Sequence, residues 1–421
     1  EKYKASHDSL TGLLNRDQFY EDVHDMVNNY HDTTFYLICS NIKDFKFINE
    51  IFGMEKGNQV LLKQAKLMAS NPSERTICAR LMNDRFALCL PREEFDEKRV
   101  ADSIKELQRE FSGNSFHLHT YMGVYEIRDR DEAVSIMVDK ANIAADTIKN
   151  NYDCCVAYYD EHLLEISIEQ RRLLGEFEPA LQKDEFAMYL QPQVNRDGAA
   201  KGAEALVRWV HPSRGILTPY AFIDILENAG LIYKLDLYIW EKAAQKLAEW
   251  KEKGYGSYHI SVNISTKDFY IIDIYETFTG LINKYGIAAS NLHLEITEKT
   301  LMTDFKKNMN IIHKLQDVGF RVEIDDFGSG YSSLNMLKDI SADVLKIDMG
   351  FLRKSENEVK GQDILESIIT LAGKIGMDVI TEGVETKKQL DMLTMMGCHE
   401  FQGYYFSKPV PVSEFEEKYL V

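Results

Sequence analysis

The chain has 421 residues, 49 Lys and Arg against 67 Asp and Glu for a formal net charge of −18, and is 45% hydrophobic and 28% charged. That length accommodates two or three domains with sizeable cores, and the composition is that of an ordinary globular protein. The acidic balance argues against a nucleic-acid polymer as ligand but leaves room for a small anion in a local site.

The cysteines (Cys39, Cys78, Cys89, Cys154, Cys155, Cys398) show no CxxC spacing and lie mostly in apolar runs. They read as buried free thiols of a reducing, cytoplasmic setting, not as a disulfide frame or zinc site. No run of about 18 uncharged apolar residues is present, and the start lacks a signal-peptide pattern. The first residues, EKYKASHDSL, lack a methionine. The chain is therefore expected to be part of a longer protein whose sensor or membrane segment lies upstream.

Over residues 8–159, helical periodicity (17–30, 56–70, 94–111, 131–149) alternates with strand-like runs at 34–40, 85–90, 116–127 and 154–159. A compact α/β domain over 1–159, with a hairpin turn at MNDRF (82–86), is expected. HDSLTGLLNR (7–16), NIKDFKFINEIFGMEKGN (41–58) and ARLMNDRFAL (79–88) resemble the framework of a GGDEF domain, the fold of diguanylate cyclases. The resemblance implies a mainly antiparallel sheet. It also shows the chemical positions altered. Where the family carries Gly-Gly-Asp/Glu-Glu-Phe, this chain has Met82, Asn83, Asp84, Arg85 and Phe86; the first metal-binding Asp falls on Asn41 and its neighbour two on falls on Lys43. The inhibitory RxxD pattern is missing at 73–76. These departures imply a catalytically dead, regulatory domain, with GTP binding as a regulatory ligand left open.

Residues 160–183 have apolar positions at helical spacing and few breakers before Pro179, which predicts a connecting helix. From 184 to 421 the pattern becomes strand, helix, strand, helix. Strands are expected at 186–192, 203–209, 259–265, 293–297, 320–326, 344–348, 378–383 and 400–403, with helices at 235–253, 304–318, 362–375 and 387–396. About eight such units fit a TIM-type (β/α)8 barrel. A doubly wound sheet is the alternative, without a GxGxxG turn to support it.

The pivotal stretch is FRVEIDDFGSGYSSL (320–334). Val322 and Ile324 alternate with Glu323 and Asp325, and Asp325 and Asp326 stand together at the strand end before Gly328 and Gly330. Adjacent carboxylates repel, and a divalent cation is the simplest relief. The same alternation in the other strands turns Asn263, Glu295, Lys346 and Asp348 inward between outward-facing Val262, Ile264, Leu294, Ile296, Leu345 and Ile347. Glu204 and Glu382 complete a ring at the C-terminal strand ends. Converging buried carboxylates need compensation. The donors Glu204, Asn263, Glu295, Asp325, Asp326 and Glu382 are all oxygens, which points to Mg²⁺ or Mn²⁺ rather than zinc. Asp325 is placed to bridge two ions. Arg208 suits a phosphate, and Lys346 either orients or deprotonates water or merely pairs with Asp348 or Asp325. Phosphoester hydrolysis is the expected chemistry.

Glu-Ala-Leu at 204–206, with VNIS (262–265), LEITE (294–298), DDFGSGYSSL (325–334), LKID (345–348), EGVE (382–385) and QGYYFSKP (402–409), resembles an EAL-domain cyclic di-GMP phosphodiesterase. The resemblance implies a variant barrel whose first strand is antiparallel, and opening of cyclic di-GMP to linear pGpG with two metal ions. It places metal ligands on Glu204, Asn263, Glu295, Asp325, Asp326 and Glu382, and the catalytic lysine on Lys346, with Glu204 and Glu382 beside it in the reacting centre. Substrate binding falls on Gln191, Leu206, Arg208, Glu385 and Gln402. Asp348 and Glu385 match supporting acids near the metals, and Glu298 matches the glutamate that holds the loop after Asp326. That loop lies near a barrel-to-barrel contact in the family, so a homodimer is expected.

Two other readings remain: a non-hydrolysing cyclic di-GMP receptor, and an unrelated metal-dependent barrel enzyme such as an aldolase or mutase. Trp209, His211 and Pro212 read as a structural corner, Met392 to Met396 as core, and 353–360 as a solvated loop.

Overall fold

The computed structural model describes residues 5–43, 45–70, 73–111, 118–149, 151, 154–325, 327, 340–349 and 358–420. Asp326, residues 328–334 of the glycine-bearing run and residues 353–357 of the charged run fall outside them. The chain divides into two compact units, Glu1–Arg171 and Arg172–Val421.

The first unit is built on strands β1 (Phe35–Ile42), β2 (Ile77–Met82), β3 (Arg85–Pro91), β4 (Thr120–Glu126) and β5 (Val156–Tyr158), in the order β2-β3-β1-β4-β5. Only the β4–β5 pair is parallel. The β2–β3 hairpin turns at Asn83, one of two described non-glycine residues with positive φ, a conformation that Asn tolerates. Helix Arg16–Asn29 begins where the Asn15 side chain accepts from the Gln18 N–H, and it buries Phe19, Val23, Met26 and Val27 along one stripe. The helical periodicity at 56–70 corresponds to helix Met54–Met68; a shorter helix, Phe45–Phe52, precedes it across Gly53 at φ 83°. A single helix cannot continue through a left-handed residue. Helix Val134–Thr147 lies directly on β4: a Cβ at Gly123 would sit 1.8 Å from the Ala141 carbonyl.

Helix Glu161–Gln182 leads to the second unit. Here β6 (Phe186–Val194), β7 (Ala200–His211), β8 (Gly215–Leu217), β9 (His259–Ile264), β10 (Leu292–Thr297), β11 (Val322–Asp325), β12 (Val344–Asp348), β13 (Asp378–Glu382), β14 (Glu400–Phe401) and β15 (Val410–Pro411) form one sheet. β7 and β9 to β14 are parallel neighbours, and β6 pairs antiparallel with both β7 and β14. An eight-stranded barrel closes through that reversed strand, with β8 and β15 as short appendages.

The alternation read from the sequence holds. Val262, Ile264, Leu294, Ile296, Leu345 and Ile347 are buried in the layer between strands and helices, where truncating one to Ala costs about 2–5 kcal/mol. At the start of β6, Phe177, Phe186, Trp209 and Phe222 form a buried aromatic group, with Phe186 and Trp209 ring centroids 4.8 Å apart. His211, at the end of β7, bonds Glu176 at 2.9 Å, a structural corner. The 387–396 helix differs in detail from the expectation that its methionines are core: Met395 is 83% exposed, whereas Met392 and Met396 pack on the core. Met395 falls on the face opposite buried Leu390 and Leu393.

Candidate active site

Four carboxylates from four strands meet around one ammonium at the C-terminal end of the barrel. Lys346 Nζ, 1% exposed, lies 2.8 Å from Glu382, 3.3 Å from Glu204 and 3.8 Å from Asp325, and also bonds Glu295. Its place follows from the period of β12, where buried Leu345 and Ile347 flank it on the opposite face. Asp348 is exposed and Lys346 does not pair with it in any described ion pair; the lysine is shared among the ring acids.

Glu204, Glu295 and Glu382 offer oxygens within 4.8 Å of one another. Glu295 Oε2 and Asp325 Oδ1 are buried without a hydrogen-bond partner. Burial, then the charge of Glu204, raises the Glu295 carboxyl well above the usual range despite Lys346. Burial pushes Glu382 up to about 8 against the pull of Lys346, with Asp325 and Glu204 adding to the rise. Burial opposes the charge on Lys346, but Glu204, Glu295, Glu382 and Asp325 outweigh it and hold the ammonium firmly protonated. Four acids against one cation leave the ring under-compensated. The donor set is all oxygen, and the unpartnered Asp325 Oδ1 lies 3.8 Å from Lys346 Nζ, so the residues fit a hard divalent cation.

Around the ring, Asn263 Nδ2 donates to Glu204 Oε1 at 3.1 Å. Gln402 Nε2 donates to Glu204 Oε2 at 2.5 Å and to Gln191 Oε1 at 3.1 Å. Gln191 stands opposite Glu204 in the β6–β7 register. Leu206 and Arg208 follow Glu204 on the same face of β7, one and two steps nearer the mouth; the Arg208 guanidinium lies 5.6 Å from the Tyr189 ring centre. Glu298 opens helix Glu298–Thr303, capped by Thr297. Glu385 is exposed, its N–H donating to Gln389 Oε1 at 2.8 Å. The structure thus gathers Gln191, Glu204, Asn263, Glu295, Asp325, Lys346, Glu382 and Gln402. Asp326 lies outside the described residues.

The sequence reading set Glu323 beside Asp325 on the carboxylate side of β11 but gave it no role, and it passed over the preceding inward positions on β9 and β10. His259 and Ser261 precede Asn263 on its face of β9, His293 precedes Glu295, and Glu323 precedes Asp325. The same two-residue step would have found them.

In the first unit, Asn41 is buried and Asp84 Oδ2 accepts from the Ile42 N–H at 3.3 Å. Burial raises the Asp84 carboxyl, so the remaining acid of the altered loop is turned to the backbone of β1.

The family model for the EAL domain matches residues 175–409, more than half the chain. The chain belongs to the EAL-domain family. The model for the diguanylate cyclase, GGDEF domain matches residues 5–153, so this EAL protein carries the two domains in tandem. It is 29% identical over 424 residues to the bifunctional diguanylate cyclase/cyclic di-GMP phosphodiesterase MucR of Pseudomonas aeruginosa, covering 97% of this chain and 61% of that protein. It is 26% identical over 419 residues to the cyclic di-GMP phosphodiesterase PdeR of Escherichia coli, covering 99% and 63%. The chain therefore spans about three fifths of the length of these relatives. Its EAL region aligns with the solved PaMucR phosphodiesterase in complex with c-di-GMP at 33% identity and TM-score 0.55, covering 58% of this chain and 99% of that one. The Vibrio cholerae LapD S helix-GGDEF-EAL structure bound to c-di-GMP shares the fold, at 18% identity, TM-score 0.58 and 96% coverage of each chain. Among the described residues, no helix is long and apolar enough to cross a membrane.

Proposed function

We propose that the EAL barrel of this protein hydrolyses one phosphodiester of cyclic di-GMP to give linear pGpG, with Mg²⁺ or Mn²⁺. The observation that carries this reading is the ring of four carboxylates around buried Lys346, two of them (Glu204 and Glu295) buried, in an EAL chain 33% identical over its EAL region to a phosphodiesterase solved with c-di-GMP. Divalent ions held by Glu204, Asn263, Glu295, Asp325, Asp326 and Glu382 would supply an activated water and neutralise phosphoryl charge.

Lys346 has the decisive part among the protein's own groups. The acids keep it protonated, so it donates hydrogen bonds and does not accept a proton in this arrangement. Like charge sets the ammonium at the centre of the ring against a dication there, so ions held by these acids would shift Lys346 Nζ away from Glu295 and Glu382. It is then free to donate to the attacking water or a phosphoryl oxygen, and a neighbouring dication lowers its proton affinity. Gln191 and Gln402 hold Glu204 in place, and Arg208, near the mouth, suits the second phosphate of a compact dianion.

The first unit is read as a GGDEF domain without cyclase activity, because Asn41, Lys43 and Arg85 replace the acids that would hold metal and GTP; a nucleotide bound there would act as a regulatory ligand. The free thiols support a reducing, cytoplasmic setting, and a homodimer through the barrels is the proposed assembly. The competing reading is a non-hydrolysing receptor, favoured by the seating of Lys346 where cations would bind. Incubation with cyclic di-GMP, with and without Mg²⁺ or Mn²⁺, separates them: metal-dependent appearance of pGpG supports the enzyme, and tight binding without turnover supports the receptor.

A further inference from the structure

Directly below the carboxylate ring, toward the N-terminal ends of the parallel strands, the barrel interior holds a second polar cluster. Layers at this depth are ordinarily filled by branched aliphatic residues. Here they contain His259, His293 and Glu323, which are 9%, 4% and 0% exposed. The two imidazoles stack at 3.8 Å with their planes 4° apart. His293 Nδ1 lies 2.6 Å from Glu323 Oε1, which also accepts from Ser261 Oγ at 3.1 Å. His259 Nε2 lies 2.7 Å from Gln193 Oε1.

Three features separate this cluster from a self-satisfied polar core. One ligand-type atom from each of His259, His293 and Glu323 falls within a 4.8 Å span. Glu323 Oε2 is buried without a partner, as is Gln193 Nε2, an expensive state for a carboxylate oxygen. The cluster also borders a cavity of about 610 Å³, rimmed by Lys201, Arg321, Asp378 and Glu400, that gives it a route to solvent. Room for His259 is made by Gly202, where a Cβ would stand 2.5 Å from the imidazole. Burial, chiefly, lowers the His259 pKa to about 3, so this ring is neutral and has a lone pair to offer.

We infer that His259, His293 and Glu323 form a transition-metal site on the barrel floor, chemically distinct from the all-oxygen ring above it. Two imidazole nitrogens and one carboxylate are the donor set of Zn²⁺ and its borderline neighbours, whereas Mg²⁺ prefers oxygen alone. An ion bound there would displace the proton between His293 Nδ1 and Glu323 Oε1 to solvent, and the stacked imidazoles and the 2.6 Å His293–Glu323 contact would open so that their lone pairs converge on it. Because His293 and Glu323 each lie two residues before a ring acid on the same strand, an ion there braces Glu295 and Asp325 from beneath.

The test uses the untagged full chain, stripped with chelator and titrated with Co²⁺ in a large excess of Mg²⁺. One equivalent of Co²⁺ should bind with the intense visible bands of a low-coordinate, nitrogen-containing site, and Zn²⁺ should displace it. Glu323→Gln and His259→Gln, each checked for native circular dichroism, should weaken Co²⁺ binding at least about 100-fold, beyond the 10–100-fold typical of outer-shell losses. Glu204→Gln, altered only in the upper ring, should retain the bands. A weak all-oxygen spectrum in the unmutated chain, or bands that vanish in Glu204→Gln but persist in Glu323→Gln, would overturn the assignment.

Discussion

Lys346 Nζ lies 2.8 Å from Glu382, a contact between adjacent parallel strands at the centre of the barrel mouth. A buried ammonium among carboxylates is the compensation the chain itself provides, and it competes with any dication for the same oxygens. Replacing Lys346 with Met removes that compensation. Without divalent ions the variant should lose about 3–5 kcal/mol of stability, the usual cost of stranding buried charge. Added Mg²⁺ should restore more stability to the variant than to the parent, read from urea midpoints. If turnover of cyclic di-GMP survives in Lys346→Met at the parental rate, the lysine has no part in the chemistry.

Glu204→Ala and Asp325→Ala each remove a carboxylate from the ring. Turnover should fall by more than about 100-fold, because even partners one shell out from a metal commonly cost 10–100-fold. Equilibrium binding of cyclic di-GMP, measured in parallel, distinguishes lost chemistry from lost recognition. Near-parental rates in either variant contradict the phosphodiesterase reading.

Asp236 and Asp268 share a hydrogen bond, and Asp268 Oδ2 accepts from the Ser265 N–H at 2.9 Å just beyond Asn263. Burial, followed by the charge of Asp268, raises the Asp236 carboxyl well above its ordinary value, so Asp236 carries the shared proton. The sign follows from proton counting. The folded state holds a proton that the unfolded chain releases above about pH 4, so this pair's contribution to stability declines as pH rises from there to the raised folded value, at about 1.4 kcal/mol per pH unit. Asp236→Asn replaces the carboxyl O–H donor with an amide N–H and removes the titration. Its stability relative to the parent should therefore improve between pH 5 and pH 8 in urea unfolding; a constant difference across that range would refute the shared proton.

Gly202→Ala should destabilise the barrel by about 1–3 kcal/mol, the range for overpacking a filled interior, because the new methyl group meets the His259 ring at 2.5 Å. Differential scanning calorimetry provides the measurement. An unchanged midpoint would mean that the imidazole is not held where it is described.

With GTP and Mg²⁺, the intact chain should form no cyclic di-GMP, as followed by chromatography of the nucleotide products. Accumulation of product would show that Asn41, Lys43 and Arg85 tolerate cyclase chemistry.

Much of the barrel was legible because a strand buried on both faces declares its register. Charged or amide side chains at every second position, between Val, Ile and Leu, mark the inward face of β9, β10 and β12 without reference to anything distant. Lys346 was readable as inward on that ground alone. Of its partners only Asp325 was named, since a two-residue period fixes direction but not depth, and adding Glu204, Glu295 and Glu382 while leaving out Asp348 requires the stagger between strands. His259 and His293 were missed for a related reason: His259 begins β9 and His293 begins the strand expected at 293–297, where the alternation has only one side to be read from. The short helix Phe45–Phe52 escaped because eight residues are too few turns to establish a helical period.

The reversal of β6 also fixes how the chain enters the barrel. Phe186 is registered with Trp209 near the end of β7, so the polypeptide arrives at the substrate-facing rim, whereas a uniformly parallel barrel would receive it at the base. Any tension or rotation carried along the preceding helix is thus delivered beside Arg208 and Leu206, with no need to be relayed through the barrel wall.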